Sequence, residues 1–109
     1  MGEPAFVRDA APLFAALGDD TRLRLLTRLS ADGPRSIVQL ADRSKVTRQA
    51  VTKHLEVLRG AGLVRSSRRG RERIWEVTPQ RLSVARHYLD DIARQWEDAL
   101  DRLKAFVEQ

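Results

Sequence analysis

The chain has 109 residues and no cysteine, which excludes a disulfide framework and a thiolate metal site. This length predicts one domain with a core of its own, and no apolar run approaches the length of a membrane span. Residues 1–8 contain no basic leader and no long apolar run, so the sequence predicts no signal peptide and a cytoplasmic location.

The net charge of +5 is concentrated in the middle of the chain. Residues 34–73 hold eleven basic and three acidic side chains, whereas the segments on either side each hold a small excess of acids. A cationic middle third indicates a polyanionic partner, most commonly nucleic acid. A membrane surface would require a basic helix with bulky apolar residues opposite. Here the basic residues are divided between a predicted helix and a predicted hairpin, so we expect nucleic acid and no membrane.

Two helices are predicted in the first third of the chain. Residues 1–9 carry little signal and are expected to include a loose tail, and residues 10–17 form the first helix. The second helix covers residues 21–31, with Asp19 or Asp20 as its N-cap. Leucines repeat along one face of this second helix, and they predict that this face is buried.

The next segments predict a helix-turn-helix. Residues 35–36 are too short for a regular strand, although they can pair with the edge of a sheet. Residues 37–43 predict a short helix, residues 44–46 a turn, and residues 47–61 a second helix. A short helix, a turn and a helix with a polar outer face form the DNA-binding pattern of that name.

The helix over residues 47–61 has an apolar stripe and a polar face. At 100° per residue Val51, Leu55 and Leu58 fall on one side, where they can hold the helix against a core. Thr47 is expected to cap the first turn. The polar side chains that can reach base edges or phosphates are Arg48, Gln49, Thr52, Lys53 and His54. The alternative is an ordinary amphipathic helix whose polar face only meets water.

A basic hairpin follows. Residues 63–68 and 71–77 predict two strands, and Arg69-Gly70 predicts the turn between them. Four arginines lie at the hairpin tip: Arg68, Arg69, Arg71 and Arg73. A basic hairpin after a recognition helix is a wing, which can reach the DNA backbone or a narrow minor groove. The alternative is that the arginines only keep the hairpin soluble. The expected fold class is mainly α with a small β-hairpin wing, a winged helix-turn-helix.

The last helix is predicted over residues 79–108, with Thr78 as N-cap and Pro79 as its first residue. A heptad stripe runs along it through Leu82, Ala85, Leu89, Ile92, Trp96, Ala99, Leu103 and Phe106. Thirty helical residues extend roughly 45 Å, more than so small a domain can cover. We therefore expect part of the stripe to pack against a second copy of the chain. The alternative is that the stripe folds back and is covered by the first helix.

The order of these elements resembles the ArsR/SmtB family of bacterial winged-helix repressors. The resemblance runs from residue 16 to residue 103 and is carried by residues 16–26, residues 49–64 and the Arg-Gly wing. It implies a homodimer that binds operators with dyad symmetry in double-stranded DNA and usually represses its own promoter. Carried over by position, the base and phosphate contacts fall on Arg48, Gln49, Thr52, Lys53, His54, Arg69 and Arg71. The implied dimer, made by the first and last helices, places Leu13, Phe14, Leu89, Ile92, Trp96, Leu100 and Leu103 at the interface.

The family's metal ligands are not matched in this sequence. Metal-sensing members place thiolates before the recognition helix, and Ser36, Val38 and Ala41 stand at the corresponding positions. Other members bind zinc between their last helices through a pattern with two histidines, whereas this helix has only His87. Metal ligation needs more ligands than these. We expect no metal and no cofactor, and residues 88–97 are similar to a non-metal subgroup whose inducer the resemblance does not identify.

Two other functions, and one variant of the repressor itself, are the alternatives. A winged-helix protein–protein module would use the last helix as its working surface. An enzyme is disfavoured, because neither His54 nor His87 has a visible nucleophile, base and acid around it. A repressor induced by a small apolar ligand would need a pocket, which Trp75, Tyr88 and Trp96 are the candidates to line.

Overall fold

The structure, a computed structural model, describes residues 5–42 and 44–109. Its elements in chain order are α1 (Ala5–Leu17), α2 (Asp20–Asp32), β1 (Arg35–Ser36), α3 (Ile37–Asp42), α4 (Arg48–Gly60), β2 (Val64–Arg69), β3 (Glu72–Val77) and α5 (Pro79–Val107). The predicted mainly α fold with a β-hairpin wing is confirmed. None of the described helices combines the length and the apolar composition that a membrane span requires.

Helix α1 is longer than predicted. It begins at Ala5, so the loose tail expected over residues 1–9 is wrong for residues 5–9, while residues 1–4 lie outside the described part. Pro12 therefore lies inside the helix rather than in its first turn. Tertiary contacts hold the early turns, because Ala10 is buried and the Arg81 guanidinium of α5 donates to the Asp9 carbonyl at 3.5 Å.

Local side-chain bonds define where α2 and α3 begin. The Asp19 carboxylate accepts from the backbone N–H of Arg22 at 3.0 Å, which makes it the N-cap of α2. Ser36 and Gln39 form a reciprocal capping box at the start of α3, with bonds of 2.9 and 3.2 Å. Thr78 differs from the expectation for α5. Its side chain makes no cap, and its backbone carbonyl accepts from the Arg81 N–H instead.

The three strands form an antiparallel sheet in the order β1-β3-β2. Strand β2 pairs with β3 from Val64 opposite Val77 to Arg69 opposite Glu72. The two residues of β1 pair with Trp75 and Ile74, so the expected pairing of residues 35–36 with a sheet edge is confirmed.

One apolar core joins the helices to the sheet. The predicted stripe of Val51, Leu55 and Leu58 is fully buried, as is Trp75 on β3. The placement of Leu13 at a dimer interface is wrong. Its side chain is 0% exposed in the single chain, because α1 packs it inside this core.

Helix α5 has two parts with different surroundings. Near its start Ala85 is buried, and the rings of Tyr88 and Phe14 on α1 lie 5.6 Å apart at an angle of 58°. Beyond this contact the stripe is uncovered. The exposed apolar side chains are Leu89, Trp96, Leu100, Leu103, Phe106 and Val107. The alternative of a stripe covered by the first helix thus holds only for the first part of α5.

Candidate nucleic-acid interface

The start of α4 is held by two side-chain bonds. The Thr47 hydroxyl accepts from the Ala50 N–H at 3.1 Å, which confirms Thr47 as the N-cap. In the turn before it, the Ser44 hydroxyl accepts from the Val46 N–H at 3.2 Å. With its apolar stripe buried, α4 is fixed in rotation, and its polar face must point away from the core.

The polar face of α4 carries three unengaged side chains. Arg48, Gln49 and Lys53 are exposed, and they make no side-chain hydrogen bond or ion pair with the residues that the structure describes. Thr52 is half-buried, and its hydroxyl donates to the Arg48 carbonyl at 2.8 Å. Two positive charges and an amide are thus free for an external ligand that accepts and donates hydrogen bonds.

The face becomes less cationic toward the end of α4. Glu56 accepts from the Arg59 Nε at 2.9 Å, so the acid and the arginine neutralise each other one turn beyond Lys53. The free cations therefore lie in the first two turns, near the N-terminal end of the helix dipole, where anions are also favoured.

His54 is placed differently from the other predicted contacts. Its ring is half-buried, and its Nδ1 lies 3.3 Å from Arg22 Nη1 and 3.7 Å from Asp19 Oδ2. Arg22 also donates through Nε to the Ala16 carbonyl at 2.5 Å. The structure therefore turns His54 toward α1 and α2, and it brings together Arg48, Gln49, Thr52 and Lys53 without it.

The wing presents a second set of free cations. Its strands are joined by Gly70 and Arg71, and the positive φ of 63° at Gly70 fits a type II′ turn. Arg68, Arg69 and Arg71 are exposed, with no side-chain partner among the described residues. Arg73 is engaged, because it donates to the Ser66 hydroxyl at 3.0 Å.

The sequence matches a helix-turn-helix domain family over residues 17–67, from the end of α1 into β2. The HTH-type transcriptional regulator Rv2034 of Mycobacterium tuberculosis is 40% identical over 85 residues, which cover 78% of this chain and 76% of that protein. The HTH-type transcriptional repressor SmtB of the same species is 33% identical over 98 residues, covering 89% and 70%.

Solved structures agree with these relatives. The ArsR-like transcriptional regulator from Rhodococcus sp. RHA1 aligns with a TM-score of 0.82 and 35% identity, over 94% of this chain and 96% of that one. The chain belongs to the ArsR/SmtB family of DNA-binding transcription regulators. The winged helix-turn-helix domain Mb0332 of Mycobacterium bovis, described as homodimeric, shares this fold with a TM-score of 0.66 and 24% identity over 87% and 90%.

The positions that hold metal in some ArsR/SmtB members have other roles here. Ser36 is buried and caps α3, and Val38 is an exposed apolar side chain. Across residues 5–42 and 44–109 no group of three or more His, Cys, Asp or Glu side chains has the geometry of a metal site.

The aromatic residues considered for an inducer pocket do not converge. Trp75 is buried in the core, Tyr88 lies against Phe14, and Trp96 is 70% exposed on the uncovered part of α5. The apolar pocket that the sequence suggested for these three side chains is therefore not formed.

Two arginines of α2 have roles that sequence reasoning missed. Arg22 joins α1 to α4, and Arg28 donates to the carbonyls of Leu40 and Gln39 at 2.8 and 3.1 Å. Arg28 thus supplies hydrogen-bond donors to backbone carbonyls at the end of α3. The sequence offers a signal only for Arg22, which stands three residues after the N-cap Asp19.

Proposed function

We propose that the protein is a homodimeric transcriptional repressor that binds an operator with dyad symmetry in the promoter of its own gene. The observation that carries this proposal is the pair of free cations and the free amide on the exposed face of α4. They stand on a helix that the core fixes in place, as direct recognition of DNA requires. The proposal includes a cytoplasmic location, no bound metal and no catalytic step.

The homodimer is supported by the uncovered apolar face of α5. Trp96 is 70% and Leu100 61% exposed in the single chain, and such a row of large apolar side chains is typical of a surface that a partner covers. The related Mb0332 domain is described as homodimeric. We place Phe14, Leu89, Ile92, Trp96, Leu100 and Leu103 at the interface. In this arrangement the two α4 helices enter major grooves about 34–36 Å apart.

The exposed side chains can be assigned to bases or to phosphates by their chemistry. The Gln49 amide can pair with the N6 and N7 atoms of adenine, and Lys53 can donate to the O6 and N7 atoms of guanine. Thr47, Arg48 and Thr52 lie where the backbone meets the start of the helix. The wing cations Arg68, Arg69 and Arg71 are assigned to phosphates, because the wing is expected to lie over the backbone beside the groove, where contacts carry no base sequence.

The test is fluorescence anisotropy with DNA from upstream of the gene and with a scrambled duplex, at two salt concentrations and with or without chelator. We expect binding to the promoter to be tighter by at least about a hundredfold, because specific sites are typically bound about a thousandfold or more tighter than non-specific DNA. Chelator should have no effect. Equally weak, salt-sensitive binding to both duplexes would contradict the proposal and favour a protein–protein module.

Two variants separate base readout from backbone contact. Gln49→Ala should weaken promoter binding by about 1–3 kcal/mol and leave scrambled DNA unaffected. Arg69→Ala should weaken both duplexes alike and reduce the salt slope by about two, because one cation is lost from each subunit of the dimer. Arg102→Ala, an exposed cation on α5, is the matched control and should change neither. Equal losses on both duplexes for Gln49→Ala would remove that residue from base readout.

A further inference from the structure

A cleft lies between α2 and the turn that leads into α4, on a part of the molecule that the proposed function does not use. Its volume is about 420 Å³, and its walls come from the outer face of α2, the end of α3 and residues 44–46. That volume falls within the range of small-ligand sites, which runs from about 300 to 1,000 Å³.

The cations at the cleft are of two kinds. Arg28 is held in place, because it donates to the carbonyls of Leu40 and Gln39. Arg24 and Lys45 are exposed, with no hydrogen bond or ion pair to the described residues. Of the residues that the structure describes, no acidic side chain lines the cleft, whereas the hydroxyl-bearing Thr21 and Ser44 do. The charge around the opening is therefore uncompensated, and it favours an oxyanion.

The base of the cleft is apolar. Leu25, which is 3% exposed, lies at this base, and the half-buried Val46 adds an apolar wall, while the fully buried Leu40 lies behind them. A backbone phosphate of DNA would engage the cations at the opening and leave this apolar part unfilled. A ligand with both an anionic group and an apolar body matches both halves of the site.

We propose that this cleft binds a small organic anion, whose carboxylate or phosphate lies among Arg24, Arg28 and Lys45 and whose apolar body lies on Leu25 and Val46. Such a ligand contacts the turn immediately before the N-cap Thr47 and neutralises cations beside α4. We expect it to weaken DNA binding. That consequence rests on the proposed function, whereas the binding site itself does not.

The test uses benzoate as the probe and benzamide, which has nearly the same shape and no charge, as its matched control. Each is titrated into the isotope-labelled full chain at constant ionic strength, and amide shifts are followed by NMR. We expect benzoate to shift the amides of Thr21, Arg24 and residues 44–46, and to bind at least about fivefold more tightly than benzamide. Equal affinities, or shifts confined to other regions such as α5, would overturn the proposal.

Variants that each remove one positive charge test the contribution of the individual cleft cations to benzoate binding. Arg24→Gln and Lys45→Gln should each weaken benzoate binding by about fivefold, whereas Lys104→Gln, an exposed cation on the last turn of α5, should leave it unchanged. Arg28 is kept, because it also satisfies the end of α3. The same spectra show whether each variant is folded. Unchanged benzoate affinity in both cleft variants would overturn the assignment.

DNA is the competing occupant of the same cations, and the same variants distinguish it. If Arg24→Gln and Lys45→Gln leave benzoate binding unaltered but each reduce the salt slope of DNA binding by about two per dimer, the cations contact backbone phosphates and the ligand site is wrong. If benzoate binds the cleft and DNA affinity does not change, the site stands and only its regulatory consequence fails. If no duplex binds specifically, the NMR result still decides the site.

Discussion

Polar side chains at the start of α2 connect the three helices α1, α2 and α4. Asp19 caps α2 and lies 3.7 Å from His54 on α4, while Arg22 reaches from α2 to the carbonyls at the end of α1. Three helices thus meet at one cluster of charged and hydrogen-bonding atoms. A substitution in this cluster is therefore expected to affect the packing of α4 without altering the residues on its exposed face.

The carboxyl of Asp19 makes the stability of this cluster depend on pH. The backbone N–H of Arg22, followed by the charges of His54 and Arg22, holds the pKa of Asp19 below its usual value of 3.8. A carboxyl with a lowered folded pKa stabilises the fold above its unfolded pKa, and this stabilisation is lost as the pH falls through the folded pKa. We expect Asp19→Asn to lower the urea midpoint at pH 6, with the difference shrinking below pH 4.

The control for that experiment is Asp101→Asn, an exposed acid on the uncovered part of α5. It should leave the urea midpoint unchanged at both pH values. A deficit of Asp19→Asn that stays constant down to pH 2 would show that the carboxylate charge is not the source of the stabilisation.

Thr47 gives a second prediction at this scale. Its hydroxyl satisfies the Ala50 N–H, which has no other acceptor in the helix, so Thr47→Ala should lower the free energy of unfolding by about 1 kcal/mol. Thr47→Ser keeps the hydroxyl and should retain most of the stability. Urea denaturation at one fixed protein concentration measures both, and an equal loss for serine and alanine would contradict the capping role.

At the level of elements, the wing turn requires a glycine at position 70, whereas α4 does not require the glycine at its end. Gly70 has a φ of 63°, and a Cβ there would meet no atom within 4 Å, so the only obstacle to a side chain is backbone strain. Gly60 lies at the end of α4 with no positive φ and equally open surroundings. A side chain has room at both positions, and only the backbone conformation differs, so substitutions at the two glycines can be compared directly.

We expect Gly70→Ala to destabilise the hairpin by about 1–2 kcal/mol, the cost of a left-handed L-residue. Gly60→Ala should be neutral or stabilising by up to about 1 kcal/mol, because alanine loses less backbone entropy in a helix. Amide hydrogen exchange of β2 and β3, together with urea midpoints, measures both effects. Similar changes in the two variants would mean that strain at the wing turn is not what glycine relieves.

The whole molecule is elongated, with extents of 68 × 31 × 20 Å, because α5 continues past the core. Its distal apolar side chains are more than half exposed, so they contribute little to the fold of the single chain. Their burial on association would remove large apolar surfaces from water at about 25 cal/mol per Å². We therefore expect dimerisation and folding to be separable along this helix, and we propose that α1 contributes to the interface through Phe14, because Leu13 is buried in the core.

If dimerisation and folding are separable, a charge introduced into the uncovered stripe of α5 should disrupt the dimer and leave the fold intact. Trp96→Glu should convert the protein to a folded monomer of 12.4 kDa, because Trp96 has few neighbours in the single chain. Gln95→Glu adds the same side chain one position away, outside the apolar stripe, and should remain dimeric. Sedimentation velocity gives the mass and circular dichroism the helix content. A Trp96→Glu protein that stays dimeric would place the interface elsewhere.

The order and type of the elements follow from local patterns in the sequence. The stripe of Val51, Leu55 and Leu58 and the caps at Asp19 and Thr47 depend on residues within a turn or two of each other. The two-strand hairpin around Gly70 is equally local. For this reason the winged helix-turn-helix and the exposed polar face of α4 could be predicted from the sequence.

Contacts between side chains of distant segments could not be predicted in this way, because they depend on how the elements pack. Leu13 and Phe14 are neighbours on α1, yet one lies in the core and the other against Tyr88, because the packing of α5 sets the rotation of α1. His54 is polar like Lys53, but it lies beside Asp19 and Arg22, which are more than thirty positions earlier in the chain. A periodic pattern shows which residues share a face, and only the assembled helices determine what that face contacts.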